Sequence, residues 1–316
     1  MSAKTTTAKA KGAKATSAKT AQVGPALVHP QDHLLRTDRI PHIWCTGCGI
    51  GIVFGSLMSA IMKSGLAYND VAVVSGIGCT GRLAGYIKLD SYHTTHGRAI
   101  PFATGLKLSR PQGKVIVASG DGDLFAIGGN HFIHAARRNL DLTVICVNNL
   151  NYGMTGGQQA PSTPFGAKTT TSPTGSPDQP FNFCSLAAAC GATYVARWTA
   201  LHIRLLTQTI GEALSHRGFS FIEILAPCPT AFGRRNKIRN PLDLLRFYYD
   251  RALVKHSIDP NDAVMDFQGN VIVGKFVDVA RPTWSDGYRQ VHSGELGEWP
   301  DVATEVPIPE KHLLGA

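Results

Sequence analysis

Short apolar runs alternate along the chain with longer stretches in which apolar side chains recur every three or four positions. The runs 71–75, 114–119, 141–148, 192–197 and 219–225 have the length and β-branched content of buried strands. Between them, 49–64 carries Ile52, Val53, Leu57 and Ile61 on one helical face, and 99–108, 127–138, 182–190 and 201–216 also read as helices. Strands separated by helices predict βαβ units, hence an α/β fold: a three-layer, doubly wound, mostly parallel sheet. On such a sheet ligands sit beyond the carboxyl ends of the strands. The glycine-rich stretches 76–81 and 120–122 and the pair Asn148-Asn149 all follow strand ends, so one edge should gather them. Past Pro229 the pattern loosens. One helix over 241–255 and a weak strand over 270–276 are expected there, and 230–316 is read as an irregular C-terminal extension to a domain over 32–229.

Composition narrows the picture. The chain has 316 residues, 43% of them hydrophobic and 17% charged, which excludes a wholly disordered protein. No apolar run reaches the roughly 18 residues of a spanning helix, so no membrane role is expected. The net charge is +9, but five of the excess lysines (Lys4, Lys9, Lys11, Lys14 and Lys19) lie in an Ala/Thr/Lys-rich start that holds no acid. Residues 1–24 are therefore read as a disordered basic tail, and the basic balance does not argue for nucleic acid. Seven cysteines are too few for a disulfide scaffold of this size, and no apolar leader is recognised. The expected compartment is the reducing cytoplasm.

The chemistry lies in the loops. Gly76-Ile-Gly78-Cys79-Thr80-Gly81 fits a dinucleotide fingerprint, yet no acid stands at the distance a ribose would need. Gly120-Asp121-Gly122-Asp123 follows a strand, and Asn149 ends the next one. A carboxylate and an amide oxygen on neighbouring strand ends could hold Mg²⁺, a hard cation that prefers oxygen. The helix between them can aim its amino end at a diphosphate. Cys45 and Cys48 form a CxxC, Cys79 follows one strand and Cys228 another. Four thiolates suit an iron–sulfur cluster, and by spacing alone a Cys₄ zinc site competes. Cys146 lies inside an apolar strand, and Cys184 and Cys190 on an alanine-rich helix, where packing is the expected role.

From Trp44 to Arg235 the chain resembles the β subunit of a 2-oxoacid:ferredoxin oxidoreductase. The resemblance rests on Trp44-Cys-Thr-Gly-Cys-Gly49, Gly76-Ile-Gly-Cys79, His96-Gly-Arg98, Gly120-Asp-Gly-Asp123 with Asn148-Asn149, Tyr152-Gly-Met-Thr-Gly-Gly-Gln158 and Pro227-Cys-Pro-Thr230, in family order. Thr46 stands where proline is usual. The resemblance implies a thiamine diphosphate-binding fold, with Gly78, Cys79, His96, Gly120, Asp121, Gly122, Asp123, Asn149, Thr155 and Gly156 at the cofactor. It implies Asp121, Asn149 and the Asn151 carbonyl as Mg²⁺ ligands, and Cys45, Cys48, Cys79 and Cys228 on one [4Fe–4S] cluster. His96, Arg98 and Arg82 would lie near the substrate, with Arg82 placed to pair with a distal carboxylate such as that of 2-oxoglutarate. The implied reaction is CoA-dependent oxidative decarboxylation of a 2-oxoacid, with electrons passed to ferredoxin. Pyruvate or a broader set of 2-oxoacids is the alternative substrate, and a non-catalytic zinc-stabilised subunit the alternative class. The resemblance also implies an α subunit that completes the site, in an (αβ)₂ assembly. The basic run Arg234, Arg235 and Lys237 is read as a solvated face or a dock for an acidic ferredoxin.

Overall fold

The computed structural model describes residues 29–265 and 269–293, so the basic tail over 1–24 and the end of the C-terminal extension lie outside the described residues. The strands are β1 (Val71–Ser75), β2 (Asp90–His93), β3 (Lys114–Gly120), β4 (Thr143–Asn148), β5 (Tyr194–Thr199), β6 (Ser220–Leu225), β7 (Ala252–Val254) and β8 (Val271–Asp278). The helices are α1 (Ile50–Lys63), α2 (Ala99–Ser109), α3 (Gly129–Arg137), α4 (Phe183–Ala189), α5 (Ile203–Ser215), α6 (Pro241–Asp250) and α7 (Trp284–His292). They build one sheet in the order β2-β1-β3-β4-β6-β5-β8-β7. Every pairing is parallel except β5 with β8.

Alternating side chains of the central strands feed two cores. Ile116 and Ala118 of β3 and Ile145 and Val147 of β4 face α1, α5 and α6. Val115, Val117, Val144 and Cys146 face the opposite layer, with Phe125, Phe132, Phe183 and Phe221. Burial on both faces explains why these strands read as continuous apolar runs.

The helix expected over 241–255 and the edge elements differ from the sequence reading, while the weak strand expected over 270–276 is present. The helix expected over 241–255 stops at Asp250, and Ala252–Val254 becomes edge strand β7, paired with β8. The weak strand expected over 270–276 is β8, and it pairs antiparallel with β5 in the main sheet. Through residue 278 the extension adds strands to the sheet, covering a β5 edge that would otherwise expose a row of unpaired backbone groups. Strand β2 and helix α7 carry no apolar run or stripe that would announce them. The α7 amino end is closed instead by a reciprocal cap between Thr283 and Asp286.

The chain leaves β1 toward β2 on one side and crosses back to β3 on the other. The crevice for a ligand opens where these directions part, above the ends of β1 and β3.

One buried ion pair crosses β5 and β6. Arg197 Nε meets Glu223 Oε2 at 2.7 Å, both side chains 1% exposed. Removing one partner leaves a lone buried charge, so Arg197→Met should destabilise the fold by about 3–5 kcal/mol, whereas replacing both partners by apolar residues should cost far less. Thermal melts of the single and double variants check this.

Candidate functional site

The loops at the carboxyl ends of β1, β3 and β4 form one cleft. It is lined by Ile77, Gly78, Cys79, Thr80, His96, Gly120, Asp121, Gly122, Asp123, Asn149, Asn151 and Tyr152 through Thr155. A chain segment from Gly122 to Ile127 winds as a wide π-type turn ahead of α3, which brings Asp121 and Asp123 under the cleft floor.

The two carboxylates are equally buried, Asp121 at 1% exposure and Asp123 at 2%, but their surroundings differ. Asp123 Oδ1 accepts from the Ile77 amide at 3.1 Å, the Gly97 amide at 2.7 Å and His96 Nδ1 at 2.6 Å. Its Oδ2 accepts from Ser119 Oγ at 2.9 Å. Asp123 thus ties three loops together. A carboxylate at Nδ1 sets the imidazole hydrogen there and leaves Nε2 as the free ring nitrogen. The His96 side chain is one third exposed and lines the cleft. Gly76 makes room for this arrangement: a Cβ there would stand 2.0 Å from Asp123 Oδ2.

Asp121 has a hydroxyl partner in Ser162. Burial pushes its carboxyl up to about 7, with the Ser162 hydrogen bond opposing. Its other oxygen faces Asn149. The end of the Asn149 side chain lies 3.1 Å from Asp121 Oδ1 and 2.5 Å from the Asn151 carbonyl oxygen: with its nitrogen inward the amide donates to both, and with its oxygen inward three oxygens converge. The oxygen-inward arrangement is the one a hard cation suits. Asn151 Oδ1 and Thr80 Oγ1 are buried without hydrogen-bond partners at the same cleft.

A second cavity, of about 260 Å³, lies beside the first. Cys45, Cys48, Cys79 and Cys228 all line it, with Trp44, Ile50 and Thr230. Burial raises the Cys48 and Cys79 thiols, Cys79 to about 11, and the neighbouring cysteines raise them further. Cys228 Sγ accepts from the Ala231 amide at 3.3 Å. The cysteines surround the cavity without converging on a point: among the described residues no group of three or more His, Cys, Asp or Glu could hold a metal ion. Cys79, Asn149, Gly153 and Met154 line both cavities.

The other expected residues fall as follows. Thr155 lines the cleft, and Gly156 follows it with φ +116°. Arg98 is exposed and lines a separate open cleft with Tyr92 and Phe102, and Arg82 is exposed near Cys79 but outside the lining of either cavity. Cys146 is buried in β4, and the Cys184 thiol donates to Glu223 at 3.5 Å. The sequence reading passed over Thr80, Tyr152 as a cleft residue, Ser162 and Ser119. Ser162 sits in a polar Pro/Thr/Gly loop, and no local pattern ties it to Asp121.

Comparisons with known proteins show the family of the chain. Residues 76–224 match the thiamine pyrophosphate enzyme, C-terminal TPP binding domain. The 2-oxoglutarate synthase subunit KorB of Methanothermobacter marburgensis is 49% identical over 274 residues, covering 85% of this chain and 95% of that one. The chain belongs to the family of 2-oxoacid:ferredoxin oxidoreductase β subunits. The subunit KorB of Methanocaldococcus jannaschii is also 49% identical, over 81% of this chain and 94% of its own. The structure of the 2-oxoglutarate:ferredoxin oxidoreductase from Magnetococcus marinus, with 2-oxoglutarate, coenzyme A and succinyl-CoA bound, superposes with a TM-score of 0.75 at 31% identity, covering 83% of this chain and 89% of that one. The eight-stranded, mostly parallel sheet is thus the thiamine diphosphate-binding fold expected from the sequence.

Because a methyl group at position 76 would displace the Asp123 carboxylate, Gly76→Ala should lower kcat/KM of the assembled enzyme about 100-fold, the usual result of shifting a reacting group by about 1 Å. Steady-state kinetics with a 2-oxoacid check it, and an unchanged kcat/KM would separate the Asp123–His96 pair from the reaction.

Proposed function

We propose that the chain is the β subunit of a 2-oxoglutarate:ferredoxin oxidoreductase, carrying thiamine diphosphate with Mg²⁺ and one [4Fe–4S] cluster. The observation that carries this reading is the shared wall between the two cavities. Gly153 stands at its centre: a Cβ there would lie 3.4 Å from Cys228 Sγ, 3.5 Å from Asn151 Oδ1 and 3.6 Å from Asn149 Nδ2. A cofactor in the cleft and a cluster among the cysteines would be neighbours.

The residues suit both groups. Asp121, the Asn149 amide oxygen and the Asn151 carbonyl are the hard donors Mg²⁺ prefers. Four thiols around one cavity, with amide hydrogens at Cys48 and Cys228, fit a cluster of several irons. A single zinc ion would draw its sulfurs to about 2.3 Å of one point, which the spread of these cysteines does not favour. When bound, thiamine diphosphate supplies an electron sink for loss of carbon dioxide, and the cluster takes up single electrons.

The protein's own groups then have distinct tasks. Asp121, Asn149 and Asn151 would hold the cation that grips the diphosphate, with Thr155 and Gly156 beside it. His96, fixed through Nδ1 by Asp123, presents Nε2 to the cleft and can hold or release a proton there. Arg82, exposed near Cys79 though outside the cleft lining, would select a substrate with a second carboxylate, whereas Arg98 lines a separate cleft. Gly78, Gly120 and Gly122 keep the cleft walls low.

Among the described residues there is one thiamine-binding unit. The carboxylate that acts on the pyrimidine ring would come from an α subunit, in an (αβ)₂ assembly that also excludes water. Arg234, Arg235 and Lys237 are exposed just past Cys228, a basic face suited to an acidic ferredoxin. The free thiols suit the cytoplasm.

Anaerobic co-purification with the α subunit should yield a brown protein with about four irons per β chain that reduces a viologen dye only when a 2-oxoacid and CoA are both present. Colourless protein holding one zinc would refute the reading. For substrate choice, Arg82→Ala should lower turnover of 2-oxoglutarate relative to pyruvate by about 10- to 100-fold, the worth of one charge-assisted hydrogen bond. Equal losses on both substrates would assign Arg82 another role.

A further inference from the structure

A buried polar chain runs under the β4 end without lining either cavity. Arg197 on β5 and Glu223 on β6 are register partners, and Asn148 closes β4 beside them. All three are within 1% of complete burial. Arg197 Nη1 donates to the Ala263 carbonyl at 2.6 Å, and Nη2 donates to Asn182 Oδ1 at 3.0 Å. Glu223 Oε2 accepts from Arg197 and from the Cys184 thiol, and its Oε1 accepts from Asn148 Nδ2 at 2.8 Å.

The chain continues into the loop that carries the converging oxygens. Asn148 Oδ1 accepts from the Leu150 amide at 3.2 Å, and Thr163 Oγ1 donates to the Leu150 carbonyl at 2.7 Å. Leu150 is held at φ +66°, a left-handed conformation that residues with a Cβ adopt rarely. It stands between Asn149 and Asn151, so its turn decides whether their oxygens fall on the side of Asp121. An ion pair at this depth contributes little beyond what an apolar pair of the same size would. Its connection to the loop is what distinguishes it from such a pair.

We infer that Glu223, held by Arg197, is a positioning residue for the cation-binding loop, acting through the Asn148 amide on the left-handed turn at Leu150. The inference rests on the reading of Asp121, Asn149 and Asn151 as the Mg²⁺ site.

The test uses metal-depleted αβ enzyme with thiamine diphosphate present, titrated with Mg²⁺ in a calorimeter. Thermal melts and the visible absorbance of the iron–sulfur centre are recorded alongside. Two variants separate position from stability. Asn148→Ala removes the bond to the Leu150 amide and the link to Glu223 and keeps the ion pair, and the double variant Arg197→Met/Glu223→Leu removes the pair without stranding a charge. Both should bind Mg²⁺ at least about tenfold more weakly, the usual loss when an outer partner of a metal ligand is removed, while the iron–sulfur absorbance stays that of the wild type. Lower melting temperatures with Mg²⁺ affinity within twofold of the wild type would assign a purely structural role and overturn the inference. If only the double variant fails to fold, the affinity of Asn148→Ala decides. A wild-type enzyme that takes up no Mg²⁺ would remove the reading of the site, and this inference with it.

Discussion

Two carboxylates, one residue apart at the end of β3, are kept out of water by the same layer of loops, and the cleft is organised around the difference in how they are compensated. Asp123 is met by two backbone amides, a hydroxyl and an imidazole, so its charge is absorbed by the protein. Asp121 accepts from the Ser162 hydroxyl and from backbone amides of its own loop and of Asn149, yet burial still raises its carboxyl, and its Oδ1 lies 3.1 Å from the Asn149 side-chain amide. Burying an anion among acceptors is costly unless a cation joins them. One carboxylate therefore serves as a structural tie, and the other is the group on which the proposed cation site rests.

The same principle governs the neighbouring cavity. The thiols there are raised by burial and by one another, an environment that favours neutral sulfur as long as no positive centre is present. Positive charge brought into either cavity would relieve the crowding that the fold has built. The proximity of the two follows from backbone rather than from side chains. The loop from Asn149 to Met154 forms the wall between them, and glycine at 153 keeps that wall thin.

Support for this arrangement comes from well below the cleft. The aromatic layer around Phe125, Phe132 and Phe221 fixes the start of α3, and with it the wide turn that carries Asp123. On the other side, β8 pairs with β5 and seals the sheet edge next to Arg197. The C-terminal segment is thereby wired to β4 through Asn182, Arg197 and Glu223. The cleft depends on residues far along the chain that never touch its contents.

The central strands, most helices and the glycine-bearing loops were legible in the sequence, because burial on both faces writes an unbroken apolar run and a half-buried helix writes a stripe. The motif residues Asp121, Asn149, Cys45, Cys48, Cys79 and Cys228 could be singled out by type and spacing, and the fold gathers them around two adjoining cavities. Edge elements were not. Strands β2 and β7 and helix α7 bury little, so pairing partners and caps, not apolar pattern, select them. Nor were the long-range partners: Ser162 on Asp121, Asp123 on His96, and Glu223 beneath Asn148. A hydrogen bond between loops depends on where the sheet order brings strand ends together, and local composition carries no record of that. Residue type and spacing determined which groups could do chemistry, and the folded sheet decided which of them meet.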